Sequence, residues 1–178
     1  MPADDDALLA ALATIRDRGA IGESSLPHAV GHAEHFAALL DHGVHVVDLG
    51  SGGGLPGLVV AVRRADVSLT LVERRASRAD LLRRAVVALQ LGARVEVLTA
   101  DVRELARAGR RFDAVTARSF AAPLMVARLA APLCTAGGVA LVSEPPAATT
   151  ERWPETALAE LGWADLGVRN GIRRLRRS

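Results

Sequence analysis

The chain has 178 residues, half of them hydrophobic, which is enough for one domain with a sizeable core and too few for two full domains. A formal net charge of +2 is too small to make nucleic-acid binding the default expectation. A single cysteine, Cys134, excludes an internal disulfide and any cysteine-based zinc site. No charge-free run approaches the roughly 20 residues that span a bilayer, and the first six residues carry three acids and no basic residue. These features predict a soluble cytoplasmic protein.

All 22 basic residues of the chain are arginines. Ten of them gather in two stretches, one at 74–84 and one between Arg169 and Ser178. A GC-rich coding bias that replaces lysine by arginine explains this usage without any function. Contact between the C-terminal arginines and RNA phosphates is the alternative interpretation, and the sequence leaves both open.

Two helices are predicted at the start of the chain. Apolar residues recur with a helical period over 8–15, after three aspartates that are expected to cap this helix, and the pattern stops at Gly19. Ser25 is expected to cap a second helix. We expect a single domain over 1–178, with 1–43 as a helical N-terminal extension that packs on it.

Strands and helices alternate through the rest of the chain. Strands are predicted over 44–48, 68–73, 94–99, 112–118 and 139–143, and two final runs over 163–169 and 172–177 as an antiparallel pair. Helices are predicted over 57–64, 77–91, 101–108, 121–134 and 154–161. This alternation predicts an α/β, doubly wound three-layer sandwich with a seven-stranded, mostly parallel sheet and a terminal antiparallel hairpin. Ligands of such sheets bind beyond the carboxyl ends of the strands, where the strand order reverses.

The loop after the first predicted strand carries five glycines within 50–57. Three of them, Gly52, Gly54 and Gly57, satisfy the G-x-G-x-x-G pattern of dinucleotide sites. Asp48, however, ends the strand two residues before the first glycine, where its carboxylate would repel a pyrophosphate. A carboxylate there suits a ligand with positive charge, such as the methionyl group and sulfonium of S-adenosylmethionine.

Two further acids end the next two predicted strands. Glu73 is expected to bond ribose hydroxyls, and Asp101 to reach an adenine amino group. Together with Asp48 they place acids at the tips of three consecutive strands. This arrangement predicts a site for S-adenosylmethionine and not for NAD.

Two segments resemble a known family. The run 48–57, with Leu-Pro-Gly after the glycines, resembles the cofactor loop of the glucose-inhibited division protein B family, the 16S ribosomal RNA guanine-N7 methyltransferases. The run 112–121 resembles the family's second signature, an apolar strand that ends in Arg-Ala-Phe-Ala. With a shorter match at 18–22, the resemblance covers 16–143. It implies a class I, Rossmann-like methyltransferase that uses S-adenosylmethionine, needs no metal and acts on 16S rRNA or the small ribosomal subunit.

The resemblance also implies cofactor contacts at five positions: Gly50, Leu55, Val102, Arg103 and Arg118. With the residues argued above, the candidate cofactor-binding residues are Asp48, Gly50, Gly52, Leu55, Glu73, Asp101, Val102, Arg103 and Arg118. Guanine N7 carries a lone pair and no proton, so methyl transfer mainly requires positioning and no general base is predicted.

The chain departs from the family pattern on the expected substrate side. Ser143-Glu144-Pro145 stands where the family has Leu-Lys-Gly, and 31–36, which includes His35, keeps only His32 of an Arg-His pattern. We expect the Glu144 carboxylate at the cleft mouth to repel RNA phosphate and make rRNA methylation weak or absent. Glu144→Lys with Gly31→Arg is then expected to raise RNA affinity. A cofactor-binding paralogue that methylates a small molecule, or is non-catalytic, is the alternative.

Histidines and tryptophans carry weaker signals. His28, His32 and His35 share one face of the second predicted helix, but no cysteine or suitably spaced carboxylate accompanies them, so no metal is predicted. His32 is expected to border the substrate cleft. Trp153 and Trp163 are expected in the core or at an interface.

Overall fold

The computed structural model describes residues 2–22, 25–145 and 152–178. Its seven strands form one sheet in the order β3-β2-β1-β4-β5-β7-β6. The first five strands run parallel, and β7 is antiparallel to both β5 and β6. The bounds are β1 His45–Leu49, β2 Ser68–Val72, β3 Val95–Leu98, β4 Phe112–Ala117, β5 Cys134–Ser143, β6 Trp163–Arg169 and β7 Ile172–Arg177. The predicted mostly parallel sheet with a terminal hairpin is confirmed.

Seven α-helices cover the two faces of the sheet within the described ranges. Their bounds are α1 Pro2–Asp17, α2 Leu26–Leu39, α3 Gly57–Arg63, α4 Ala76–Ala88, α5 Val102–Arg107, α6 Pro123–Ala130 and α7 Glu155–Glu160. Alternate residues of a strand point to opposite faces. In β1, Val46 packs into the core formed with α1 to α4, whereas Val47 packs into the core formed with α5 to α7. Since α1 and α2 pack against α3, the N-terminal helices belong to the first of these layers.

The start of the chain differs from the prediction in one detail. The three aspartates do not precede α1 but lie within its first turns, because the helix already begins at Pro2. Acidic residues are favourable there, since the helix dipole places partial positive charge at this end. Ser25 stands at the N-cap of α2 as expected, but its side chain makes no capping hydrogen bond.

The fifth strand begins five residues earlier than predicted. The helix expected over 121–134 ends at Ala130, a 3-10 turn follows, and Cys134 already pairs with Phe112 of β4. A bulge then absorbs the extra residues before the regular pairing resumes. Gly138 lies within it, where a Cβ atom would come within 2.6 Å of the Asp113 carbonyl oxygen. Gly137 and Gly138, which lie before the predicted strand, are therefore part of β5.

Among the helices of the described ranges, none combines the length and apolar character that a membrane span needs.

Candidate functional site

Three cavities lie beyond the carboxyl ends of the strands, where the order reverses between β1 and β4. The β5 cavity, of about 820 Å³, lies between the end of β5 and His28 and His32 of α2. The β2 cavity, of about 380 Å³, lies beyond the ends of β2 and β3. The loop cavity, of about 330 Å³, lies beside the glycine-rich loop 50–57. Ser119, just after β4, lines all three.

The glycine-rich loop has a backbone that side chains would not allow. Gly50, Gly52 and Gly54 have φ angles of 64°, 50° and 88°. Gly53 approaches the segment after α1 so closely that a Cβ atom would lie 2.7 Å from the Ala20 carbonyl oxygen. The ring of Phe120 lies directly on Gly50, so a side chain at that position would strike it. These glycines therefore allow the loop to contact both the segment that follows α1 and Phe120, which follows β4.

The Asp48 carboxylate is buried beneath this loop, with 1% of the residue exposed. Its Oδ1 accepts a hydrogen bond from the Thr116 hydroxyl at 2.7 Å, and its Oδ2 has no partner among the described residues. Oδ2 faces the start of α3, where a Cβ atom on Gly57 would lie 2.8 Å away. Burial raises the pKa of Asp48 to about 6. Asp48 lines none of the three cavities, so the structure separates this residue from the other predicted site residues.

Five of the predicted site residues meet in the β2 cavity. They are Gly50, Glu73, Asp101, Val102 and Arg103. The Glu73 carboxylate accepts backbone N–H groups of Gly52, at 3.1 Å, and of Arg75, at 2.8 Å. Asp101 caps α5 by accepting the Arg103 N–H at 2.9 Å, and its other oxygen is 3.3 Å from the Arg103 guanidinium. Both acids are therefore held by the backbone with their carboxylates in the cavity wall.

Apolar side chains form the other wall of the β2 cavity. Phe120, Met125 and Leu129 line it opposite the acids. Sequence reasoning did not assign them: Phe120 stood in a quoted signature, but the two residues of α6 carry no local signal. Their position depends on how α6 packs against the sheet. An apolar wall facing two fixed carboxylates suits a flat, partly polar ligand.

Two arginines line the loop cavity together with the predicted residues Gly52 and Leu55. Arg118 donates from Nη1 to the Ala29 carbonyl oxygen at 3.1 Å, and burial lowers the pKa of its guanidinium. Arg78 lines both the loop cavity and the β2 cavity. Sequence reasoning noted Arg78 only as part of an arginine-rich stretch. The pair makes the loop cavity suited to an anionic group such as a carboxylate.

His28 and His32 line the β5 cavity, and that this cavity is the substrate cleft stays a prediction. Burial, and next the Arg118 charge, lower the pKa of His32, and its ring is therefore neutral at pH 7. The His32 Nδ1 is buried without a partner among the described residues. The ring of His35 lies 6.4 Å from that of His32. In the described ranges, no group of three or more His, Cys, Asp and Glu side chains is arranged to hold a metal ion.

The expectation that Glu144 presents a free carboxylate to the substrate is wrong. Its side chain is 3% exposed and is held by Arg152 Nη1 at 2.5 Å and Arg173 Nε at 3.2 Å. The Trp153 indole N–H also donates to it. Two guanidinium groups therefore balance this charge, and the carboxylate no longer opposes an incoming phosphate. Trp153 and Trp163 are both 3% exposed, which confirms their predicted place in the core.

The C-terminal arginines are engaged within the protein. Four of them bind its own acceptors: Arg173 the Asp165 carboxylate at 2.7 Å, and three others the carbonyl oxygens of Leu166 (Arg174, 2.8 Å), Gly137 (Arg176, 2.7 Å) and Gly162 (Arg177, 2.6 Å). Two of these bonds lie within the β6–β7 hairpin, one reaches the residue before β6, and one reaches β5. These contacts account for the C-terminal arginines without any contact to RNA.

Known proteins are similar to the chain at two levels. The sequence model of the family described as GidB, rRNA small subunit methyltransferase G, matches residues 17–152. A relative from Salinispora tropica, "Ribosomal RNA small subunit methyltransferase G", is 42% identical over 130 residues, which cover 68% of this chain and 54% of the relative. The chain spans about half the length of the curated relatives it matches.

Solved structures show the same fold at low sequence identity. The mitomycin 7-O-methyltransferase MmcR superposes with a TM-score of 0.65 at 22% identity, covering 84% of this chain and 54% of that one. A coclaurine N-methyltransferase bound to N-methylheliamine and SAH superposes with a TM-score of 0.58 at 20% identity, covering 68% of this chain and 38% of that one. The predicted class I methyltransferase fold is thereby confirmed. Because the family model covers most of its length and a curated relative shares 42% of the aligned residues, the chain belongs to the rRNA small subunit methyltransferase G family.

Proposed function

We propose that the chain binds S-adenosylmethionine and transfers its methyl group to guanine N7 of 16S rRNA, as a partner of that RNA or of the small ribosomal subunit. The observation that carries this proposal is the meeting of three cavities at Ser119, two with the chemistry of a cofactor site and one larger and open to an acceptor. Membership of the family supports the reaction class. A fold neighbour that was solved with S-adenosylhomocysteine supports the choice of cofactor.

The donor set of the β2 cavity fits the adenosine part of this cofactor. Each Glu73 oxygen accepts one backbone N–H and retains a lone pair, which suits a ribose hydroxyl donor. We assign the adenine edge to Asp101 and the backbone of Val102, beside the apolar wall of Phe120, Met125 and Leu129. The Arg103 side chain pairs with Asp101, which leaves its backbone as the group for a ligand.

The loop cavity fits the methionyl part. We assign its carboxylate to Arg118 and Arg78, and its ammonium and sulfonium charges to the backbone of Gly50, Gly52 and Leu55. Asp48 favours the same positive charges from beneath the loop when it is ionised. Ser119 lines the β2, loop and β5 cavities, so a cofactor held by the residues of the first two would be close to an acceptor in the third.

Methyl transfer to guanine N7 needs no proton removal, so the described residues act by positioning. When bound, S-adenosylmethionine supplies a methyl group activated by its sulfonium. Arg118 lines both the loop cavity and the β5 cavity and is therefore placed to orient cofactor and acceptor together. The neutral His32 ring offers a hydrogen bond to the acceptor base without adding positive charge beside the sulfonium.

The argument for a small-molecule acceptor depended on a free Glu144 carboxylate that would repel RNA phosphate. The ion pairs with Arg152 and Arg173 remove that reason, so we propose RNA alone. We also propose one domain over 1–178 that works in the cytoplasm, with the helices of 1–43 as an extension. The packing of α1 and α2 on α3 supports this arrangement.

Glu73→Ala is expected to weaken binding of S-adenosylmethionine by tenfold or more, because it removes the ribose acceptor and the partner of two loop N–H groups. The matched control is Glu104→Ala, which removes an exposed acid of α5 and is expected to leave the affinity unchanged. Calorimetric titration with S-adenosylmethionine, S-adenosylhomocysteine and NAD measures both. Binding of NAD with no response to S-adenosylhomocysteine would refute the assigned cofactor, and equal loss in both variants would refute the role of Glu73.

A further inference from the structure

Four charged side chains form a continuous chain of ion pairs that ends in the wall of the β5 cavity. Asp165 of β6 pairs with Arg173 Nη1 at 2.7 Å, Arg173 Nε pairs with Glu144 at 3.2 Å, and Glu144 pairs with Arg152 Nη1 at 2.5 Å. The two middle side chains are 5% and 3% exposed, whereas Asp165 and Arg152 are 27% and 36% exposed. Of the four, Glu144 and Arg152 line the cavity, and Arg152 is the one that solvent and ligands reach most easily.

The charges of this network are balanced but unevenly placed. Two carboxylates neutralise two guanidinium groups, so the network adds no net charge to the cavity. At the cavity, the Glu144 carboxylate is buried beneath its partners, whereas the Arg152 side chain is partly exposed to solvent. An anionic ligand that enters the β5 cavity therefore meets a cation first.

The Arg152 side chain is partly exposed, but an ion pair fixes its position. Glu144 fixes it at Nη1, and Glu144 is itself fixed by Arg173 and by the Trp153 indole N–H. A guanidinium has five N–H donors, so one ion pair leaves donors for a second oxyanion. Arg118 is a second arginine in the walls of the same cavity. Each guanidinium offers the planar fork of N–H donors that phosphate oxygens accept.

We propose that Arg152 contacts a backbone phosphate of the RNA acceptor in the β5 cavity, and that Glu144 is a positioning residue that holds Arg152 there; this inference rests on the proposed function. Arg152 thus places a positive charge in the wall of the β5 cavity. In that wall, the family resemblance predicts a Glu144 carboxylate that repels RNA phosphate. The arginines of the β6–β7 hairpin do not compete for this role, because none of them lines the β5 cavity.

Arg152→Gln tests the contact in the full chain, with a small-subunit rRNA fragment that contains the acceptor guanine as the probe. We expect its dissociation constant to rise about tenfold, and the slope of log affinity against log salt to fall by about 0.7–0.9, the value for one lost phosphate contact. The dissociation constant of S-adenosylmethionine is expected to stay within twofold. Glu144 keeps Arg173 and Trp153 as partners in this variant, so the fold is preserved. Arg128→Gln, which removes an exposed arginine of α6, is the matched control and leaves both ligands unaffected.

Glu144→Gln tests the positioning role, because glutamine has one oxygen that can accept from Arg152 Nη1 without the charge, while its amide nitrogen replaces the oxygen that now accepts from Trp153 and Arg173. We expect RNA affinity to stay within threefold in this variant. Glu144→Ala releases Arg152 and should weaken RNA binding as much as Arg152→Gln does, with no further loss in the double variant.

Each other outcome has a distinct meaning. Unchanged RNA affinity and salt slope in Arg152→Gln would overturn the inference, and so would an equal loss of cofactor affinity, since that would indicate a general structural role. If the unmodified protein binds S-adenosylmethionine but no RNA, the proposed acceptor is wrong and the inference falls with it.

Discussion

Glu144→Lys is expected to lower the free energy of unfolding by about 3–5 kcal/mol, the usual cost of breaking a buried ion pair from one side. The substitution removes the shared carboxylate and leaves Arg173 and Arg152 beside a third cation in a buried place. The family resemblance taken alone predicts a different result for this change, a gain in RNA affinity. Urea unfolding followed by circular dichroism measures the effect.

Gly31→Arg is the control for this result. Gly31 lies in α2 and has open space where a Cβ atom would extend, so an arginine there is tolerated, and the helix gains because glycine is a poor helix former. We expect this variant to be as stable as the unmodified protein or slightly more stable. A Glu144→Lys variant that unfolds at the same urea concentration as the unmodified protein would contradict the buried network.

The second large effect concerns Asp48, whose burial makes stability depend on pH. Its pKa of about 6 in the folded protein lies above the ordinary value of 3.8. The folded state therefore holds the proton more tightly than the unfolded chain does. The contribution to stability is fully present below pH 3.8 and is lost as the pH rises through about 6, which amounts to roughly 3 kcal/mol.

Asp48→Asn removes this part of the pH dependence, because the amide stays neutral. We expect the variant to match the unmodified protein near pH 4 and to exceed its stability at pH 7 to 8, by up to about 3 kcal/mol. Urea unfolding at a series of pH values measures both proteins. Asp80→Asn, at an exposed position of α4, is the control and should follow the unmodified protein at each pH. Parallel curves for Asp48→Asn and the unmodified protein would show that Asp48 is not a strained buried acid.

Much of the fold followed from local patterns in the sequence. Strands buried on both faces are short apolar runs, and β1, with its run of valines, is of this kind. Glu73 follows the apolar run of β2 directly, and Asp101 comes three residues after β3, so their place beyond neighbouring strand ends could be predicted. The glycine-rich loop carries its own signal, because its positive φ angles require glycine.

The parts that sequence reasoning missed depend on contacts between distant residues. Glu144 looked like a free carboxylate because its partner Arg173 lies 29 positions further along the chain and meets it only when β7 pairs with β5. Asp48 looked like a ligand contact, but the loop folds over it and turns its carboxylate toward α3. The early start of β5 depends on a bulge opposite β4. None of these arrangements has a local sequence signature.

Transfer of a labelled methyl group from S-adenosylmethionine to small ribosomal subunits that lack the guanine N7 mark tests the central claim most directly. The paired state of Glu144 removes the reason to expect weak rRNA methylation, so we predict clear transfer by the unmodified protein. Digestion of the product should place the label on N7-methylguanosine, and Glu73→Ala should lose the transfer at limiting cofactor. A protein that binds S-adenosylmethionine but transfers no label to subunits or to free 16S rRNA would contradict the account.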